Sequence, residues 1–511
     1  MGGVRRLEAA VDSDLNGSII AHRMCNKPSA VVSLLTSDRS ARVALVALGL
    51  MCSAQWLQGQ VREVGWLYAQ NCAGCHGANL EGGQTDSLLD DRWIHSNGDD
   101  ETLFRIIRDG DELNGMPPMK GDLNDAEIRA LVVLMREKAA EAKTAQTDHA
   151  KPVEDQVVTS RQHRFRLKTV AEGLATPWSV AWLPDGRMLV TELPGTLRVA
   201  RSGAGNLDPV AGTPSVRSQG QGGLMEAVPH PGCRTNGWVY LAYAEAGSTL
   251  ETRDFGMTVV VRGRLEKGTW TQEQTIFRAP VSSYRPGGVH FGCRLVFDGA
   301  GHLFFCIGER GHMQDAQDLA RPNGKVHRVF DDGRIPPDNP FVGLTNALPS
   351  IWSYGHRNPQ GLDRHPVTGE LWEAEHGPRG GDELNLIRGG LNYGWPIITY
   401  GMNYNGTPIT ALTAKEGLEQ PVVHWTPSIA VCGIEFYRGD SFPRWRNSLL
   451  VTGLASEELR RVVIDGHRVV EQELLFKGIG RVRDVATGPD GLVYVVLNKP
   501  DKIVRLEPVV P

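Results

Sequence analysis

Neither sign of charge dominates this 511-residue chain, and its aromatic content is a moderate 7%. The 54 basic and 59 acidic residues leave a net charge of −5, which removes any whole-protein electrostatic attraction to nucleic acid. Amphipathic helical periodicity is scarce after residue 160, which argues against a helical bundle. Apolar runs are short. The most prominent, Val43–Met51, falls well below the roughly 20 residues a membrane-spanning helix needs, so no stable span is expected. What the chain has in quantity is glycine (59) and proline (30), which suits many tight turns. Its length calls for two or three cores.

Arg39 and Arg42 precede Val43–Met51, and Cys52-Ser53-Ala54 follows with small residues. This pattern reads as a signal segment over 1–54, with Met24 as an alternative start, and places the remainder in the periplasm or outside the cell. A short buried helix is the competing reading. Leu50-Met51 before Cys52 lacks the small residues that lipoprotein processing favours.

Cys72-Ala-Gly-Cys75-His76 has the spacing used for covalent attachment of haem c. Two thiols can add to the vinyl groups and the adjacent histidine can reach the iron. A zinc site would want a second cysteine or histidine pair, and none follows. A thioredoxin-like pair would want a βαβ context, which is also missing. Three helices are expected around the motif: Glu63–Gln70, Leu103–Arg108 ending at Asp109-Gly110, and one opening with the capping box Asn124-Asp-Ala-Glu127. The second axial ligand falls in Gly115-Met116-Pro-Pro-Met119. Met116 is preferred, because Met-Pro followed by Gly121, Leu123 and the capped helix resembles the class I cytochrome c pattern. The small all-α cytochrome c domain is placed at 60–140. The Ala/Lys/Glu-rich stretch 141–160 reads as a linker.

Beyond it, a strand–turn–strand unit recurs about six times. It appears at Val180–Thr191, Met225–Gly232, Leu295–Phe305, Leu362–Trp372, Ile434–Gly439 and Val485–Tyr494. Such repetition is the signature of a β-propeller, here over 161–509. Cys233, Cys293, Cys306 and Cys432 are scattered through it, and disulfides and buried free thiols stay equally open.

Within this domain, Ser353-Tyr-Gly-His-Arg-Asn-Pro-Gln-Gly361, Glu375-His-Gly-Pro-Arg-Gly-Gly-Asp-Glu-Leu-Asn385 and Asn392-Tyr-Gly-Trp395 stand in order. With Gly220–Leu224, His290–Arg294 and Arg481–Asp484 they resemble the glucose/sorbosone dehydrogenase family, whose members are soluble quinoproteins that bind pyrroloquinoline quinone (PQQ). The resemblance implies a mainly β, six-bladed propeller that oxidises an aldose or sorbosone-like sugar. By it, His290 is the catalytic base, and Gln221, Arg357, Asn358, His376, Ser428, Arg481 and Arg483 face the cofactor. Ca²⁺ is carried over to the backbone carbonyls of Gly377 and Pro378, and a second Ca²⁺ to Glu383 and Tyr393. Residue chemistry agrees: a planar tricarboxylate needs fork-shaped cations, and Arg481 and Arg483 fall on one face of a strand. Imidazole titrates where a hydroxyl proton must be removed.

The sequence also departs from the family. Ala455 stands where members carry a lysine, and Cys293 replaces a small residue. Electrons are expected to pass from the quinone to the fused haem and on to a respiratory acceptor. A Ca²⁺-dependent sugar lactonase and a non-catalytic binding propeller with an electron-relay haem are the rival readings.

Overall fold

The computed structural model describes residues 61–90, 92–93, 96–146, 151–200 and 207–509. The expected targeting segment, its Met24 start, Cys25 and Cys52 lie outside the described residues. No described helix is long and apolar enough to cross a membrane.

The haem-motif region forms a small helical domain. Helix α1 spans Val64–Asn71 and is capped by the Glu63 carboxylate, which accepts from the backbone N–H groups of Gly65 and Trp66. A short turn, α2, holds Ala73–His76. Helix α3 covers Asp100–Asp109, and its cap, Asp99, accepts from Thr102. Helix α4 runs over Asp125–Gln146. The expected capping box is present in both directions: Asn124 N–H donates to Glu127 Oε2 at 2.9 Å, and Glu127 N–H donates to Asn124 Oδ1 at 3.0 Å. Val64, Leu67, Leu103, Ile107, Ile128 and Leu131 close a common core.

Both ends of the expected 141–160 linker carry secondary structure. Ala, Lys and Glu are strong helix formers, so α4 continues to Gln146, and strand Val157–Thr159 already pairs with Arg164–Arg166.

The remainder is a propeller of six antiparallel sheets. Their innermost strands are Pro177–Trp182, Leu224–Pro229, Leu295–Phe297, Pro359–Arg364, Val431–Phe436 and Arg481–Thr487, and each packs on the next around a closed ring. Four of the six units read from the sequence are the first two strands of a blade, whereas Met225–Gly232 and Ile434–Gly439 hold only the first strand of blades two and five, whose second strands are Trp238–Ala246 and Leu449–Gly453. In blade two a helical turn over Cys233–Asn236 separates the two strands. The sixth blade is completed from the other end of the domain: Arg164–Ala171 pairs antiparallel with Lys502–Pro508, with Phe165 opposite Pro508. This closure protects the sheet edges and buries Phe165 and Leu506 completely. Cys233, Cys293, Cys306 and Cys432 are all free and buried, which settles the open alternative in favour of thiols.

Candidate cofactor sites

In the helical domain, a cavity of about 570 Å³ opens between α2 on one side and the 111–119 loop on the other. Cys72, Cys75 and His76 line it together with Tyr68, Leu103, Ile107, Leu131 and Met135. His76 Nδ1 is 2.9 Å from Thr85 Oγ1, so Nε2 is the nitrogen left for a metal. Burial holds the His76 pKa below its usual value and pushes the Cys72 thiol up to about 11. Met116 and Met119 both line the cavity, so either thioether is on the correct wall. An apolar slot with two thiols and one imidazole at one edge fits a covalently attached porphyrin.

The second site lies at one mouth of the propeller shaft, and its residues share a topological origin. Gln221, His290, Arg357 with Asn358, and Ser428 stand just before the innermost strands of blades two, three, four and five. Arg481 and Arg483 open the innermost strand of blade six. The turns after the second strands of blades three and four add Glu309 and the His376–Gly381 segment.

His290 is the centre of a tight local network. Its backbone adopts a φ of +53°, uncommon for a side chain of this size, and its N–H donates to Gln221 Oε1 at 2.9 Å. Gln221 Oε1 also accepts from Asn358 Nδ2 at 3.4 Å, and Asn358 Oδ1 accepts from Gly292 N–H at 3.1 Å. His290 Nδ1 is hydrogen-bonded to the carboxylate of Glu309, a residue only 1% exposed. Burial lowers the His290 pKa, the Glu309 hydrogen bond partly restores it, and the Arg357 charge lowers it again.

The cations converge. His376 is held well below the ordinary imidazole pKa, first by burial and then by the fields of Arg357, Arg483, His290 and Arg481. Its Nε2 is buried with no partner, and so is Arg357 Nε. Arg357 donates to the carbonyl oxygens of His376 at 3.0 Å and Gly377 at 2.7 Å. Arg481 and Arg483 share one face of their strand while Val482 between them is fully buried. The Arg481 pKa is lowered by burial and by Arg483. Arg483 donates to Gln360 Oε1 at 2.9 Å and lies 3.4 Å from Cys432 Sγ. Several cations and two orphaned buried nitrogens facing one well call for an anionic, acceptor-rich occupant.

Ser428 does not face that well freely. Its hydroxyl donates to Asp382 Oδ1 at 2.7 Å, and Asp382 also accepts from Gly377 N–H at 2.9 Å and Val431 N–H at 3.0 Å. Asp382, fully buried, therefore pins the loop that carries Gly377 and Pro378; burial raises its pKa to about 6. Ala455 sits exposed in a turn and hydrogen-bonds Ile429 only through its backbone.

Behind this loop, Glu383 joins a buried acid cluster. Asn385 Nδ2 donates to Glu373, Glu375 and Glu383 at 3.1, 3.4 and 3.2 Å. His356 Nδ1 lies 3.2 Å from Glu375, and Glu373 Oε1 and Asn385 Oδ1 have no partner. Burial and the neighbouring Glu375 push the Glu383 pKa well up. The Tyr393 hydroxyl is already engaged, donating to Leu386 O at 2.6 Å and accepting from Arg388 N–H at 2.9 Å, which makes its carbonyl the freer ligand atom.

A larger cavity of about 730 Å³ occupies the other end of the shaft and contains none of the expected site residues. Arg294 separates the two ends, bridging Glu226 at 2.7 Å and Asp484 at 2.9 Å.

Reading the sequence missed Glu309, Asp382 and the Arg294 network. Gly308-Glu-Arg-Gly311, a charged pair between glycines just after a strand, was the available signal for Glu309.

Residues 174–505 match the family described as glucose/sorbosone dehydrogenase, and residues 59–135 match the family described as cytochrome c oxidase, cbb3-type, subunit III. The chain is 41% identical over 340 residues to aldose sugar dehydrogenase YliI of Escherichia coli, covering 65% of this chain and 90% of that protein. The crystal structure of the soluble aldose sugar dehydrogenase from Escherichia coli in the apo form superposes with a TM-score of 0.63 at 38% identity, over 68% of this chain and 100% of that one. The PQQ-bound form of aldose sugar dehydrogenase from Streptomyces coelicolor does so with a TM-score of 0.56 at 27% identity, over 70% of this chain and 100% of that one. This chain therefore belongs to the glucose/sorbosone dehydrogenase family and carries a cytochrome c domain ahead of the dehydrogenase domain.

Proposed function

We propose that the chain is an exported quinohaemoprotein that oxidises a sugar at a carbon bearing a hydroxyl, with His290 as general base. The observation that carries this reading is the convergence of Arg357, Arg481 and Arg483 on the well beside His290, with the orphaned His376 Nε2 among them. PQQ and Ca²⁺ in that well supply a hydride acceptor with a polarised carbonyl, and a covalent haem supplies one-electron storage.

The protein's own groups carry the rest. Glu309 accepts the Nδ1–H of His290, which leaves the Nε2 lone pair for the substrate hydroxyl proton. Burial keeps the imidazole neutral at physiological pH, the form a base requires. Arg357, Arg481 and Arg483 would hold the carboxylates of PQQ, with Gln221 and Asn358 on its ring substituents and His376 Nε2 as a further contact. The carbonyls of Gly377 and Pro378 suit a hard cation; the Gly377 oxygen accepts from Arg357 and keeps its second lone pair. A second Ca²⁺ at Glu383 would relieve the buried excess of carboxylates there. Ser428 acts through Asp382 rather than on the cofactor. In the cytochrome domain, Cys72 and Cys75 would carry the haem thioethers, with His76 and Met116 on the iron.

Titrating apoprotein with PQQ and Ca²⁺, while following sugar-dependent dye reduction, tests the assignment. Saturable activity requiring both ligands is expected, and dye reduction absent across a panel of aldoses would exclude it.

A further inference from the structure

One segment of the propeller has a different neighbour on each side. His376 and Gly377 face the cationic well, whereas Arg379 and Gly380 face the cytochrome domain. The Arg379 guanidinium is paired with Glu137 of α4 at 2.8 Å, and Glu137 is 12% exposed. An ideal Cβ on Gly380 would lie 3.2 Å from Val133 Cγ1 of the same helix, and Gly380 has a φ of +83°. Met402 exchanges backbone hydrogen bonds with Arg379 at 2.9 Å and is completely buried within the cytochrome domain's own apolar core.

The loop after Met402 continues the joint. Gly406 O accepts from Val64 N–H, the first residue of α1, at 2.9 Å. A Cβ there would come within 2.5 Å of Glu63 Oε1, and the φ of +77° at Gly406 favours glycine. Two residues earlier, the ring of Tyr404 lies 6.0 Å from the Arg357 guanidinium.

Helix α4 has corresponding faces. Leu131 and Met135 line the haem cavity, whereas Val133 and Glu137 meet the propeller. The cavity and the wall of the well are thus separated by about one helix diameter, ~10 Å.

We infer that the cytochrome domain is seated on the back of the His376–Gly381 wall by a fixed joint, with Glu137–Arg379 as its positioning pair and Met402 as its plug. This joint, rather than the linker, sets the rate at which electrons reach the haem. The inference rests on the reading under Proposed function. Sugar oxidation releases two electrons and two protons, and one haem iron stores one electron. Each turnover therefore needs two crossings of the joint and two deliveries to an external one-electron acceptor, while the protons go to solvent.

The test uses full-length protein reconstituted with PQQ and Ca²⁺. Glu137→Arg combined with Val133→Asp lies on the cytochrome side, away from the well. It should slow sugar-driven haem reduction at least about tenfold and leave reduction of a small dye unchanged. After protease cleavage at a site inserted in the linker, the halves should co-elute in the parent and separate in this variant. In a separate pair of proteins, Arg379→Glu should restore the Glu137→Arg single variant. Unchanged haem reduction together with co-elution in the double variant would overturn the inference. Co-eluting parent halves without any sugar-driven haem reduction would retain the joint and refute the functional reading.

Discussion

The buried carboxylate of Glu309 binds Nδ1 of His290, while its second oxygen has no partner. The acid therefore fixes the ring's tautomer and orientation without being shared with other donors. His290→Ala is expected to lower turnover by roughly 10²–10⁴-fold, the usual weight of a positioned general base, with the haem spectrum unchanged. Glu309→Gln should reduce kcat more than it alters KM. Wild-type turnover in His290→Ala would remove the imidazole from the mechanism.

The same pair sets a pH dependence. The His290 pKa is lowered, so the active neutral base persists below the ordinary imidazole range of about 6.5. Activity should rise with pH along an acid limb lying under that value. Glu309 raises the pKa, so Glu309→Gln should move the limb further toward acid. A limb that moves toward alkaline pH would contradict the assigned coupling.

Arg357 and the Arg481/Arg483 pair are expected to act on cofactor affinity. Losing one charge-assisted contact costs about 1.5–3 kcal/mol, so Arg357→Ala or Arg483→Ala should weaken PQQ binding on the order of tenfold to a hundredfold. Fluorescence titration of apoprotein measures this without turnover. Equal affinity in both alanine variants would show that the cations serve another purpose.

Asp382 links stability to pH. Its carboxyl titrates near 6 in the folded protein and near 3.9 when unfolded, so the folded state holds the extra proton between these values. Stability should fall as pH rises from about 4 to 6, by on the order of 3 kcal/mol from this group. Denaturant unfolding at pH 4 and 6.5 measures it, and Asp382→Asn should flatten the slope. A slope unaltered in that variant would point to a different titrating group.

In the cytochrome domain, Met116 and Met119 share a cavity wall, and spectroscopy separates them. Met116→Leu should abolish the sulfur-to-iron charge-transfer band and lower the haem potential, whereas Met119→Leu should preserve both. The reverse pattern would assign Met119 as the ligand.

Much of the fold was legible because its signals are local. Each inner hairpin is marked by alternating apolar residues around a glycine turn, and the α4 start by Asn124 and Glu127. His290, Arg357 and Arg481 were brought together in the sequence only by the family resemblance; the fold explains it, because each stands at or just before the start of an innermost strand. Glu309 and Asp382 were not legible: each acts across a turn on a partner from another segment, and a buried carboxylate looks like any other acid in a sequence. The Arg379–Glu137 contact joins residues 242 positions apart, and no local pattern encodes it.

The most direct measurement of the central claim is stopped-flow absorbance of the haem after mixing sugar with protein loaded with PQQ and Ca²⁺. The account predicts reduction of the haem within the same polypeptide, independent of protein concentration, and its loss in His290→Ala and in protein lacking PQQ. A haem that stays oxidised in the loaded protein while dye is reduced, or one reduced equally well without PQQ, would contradict it.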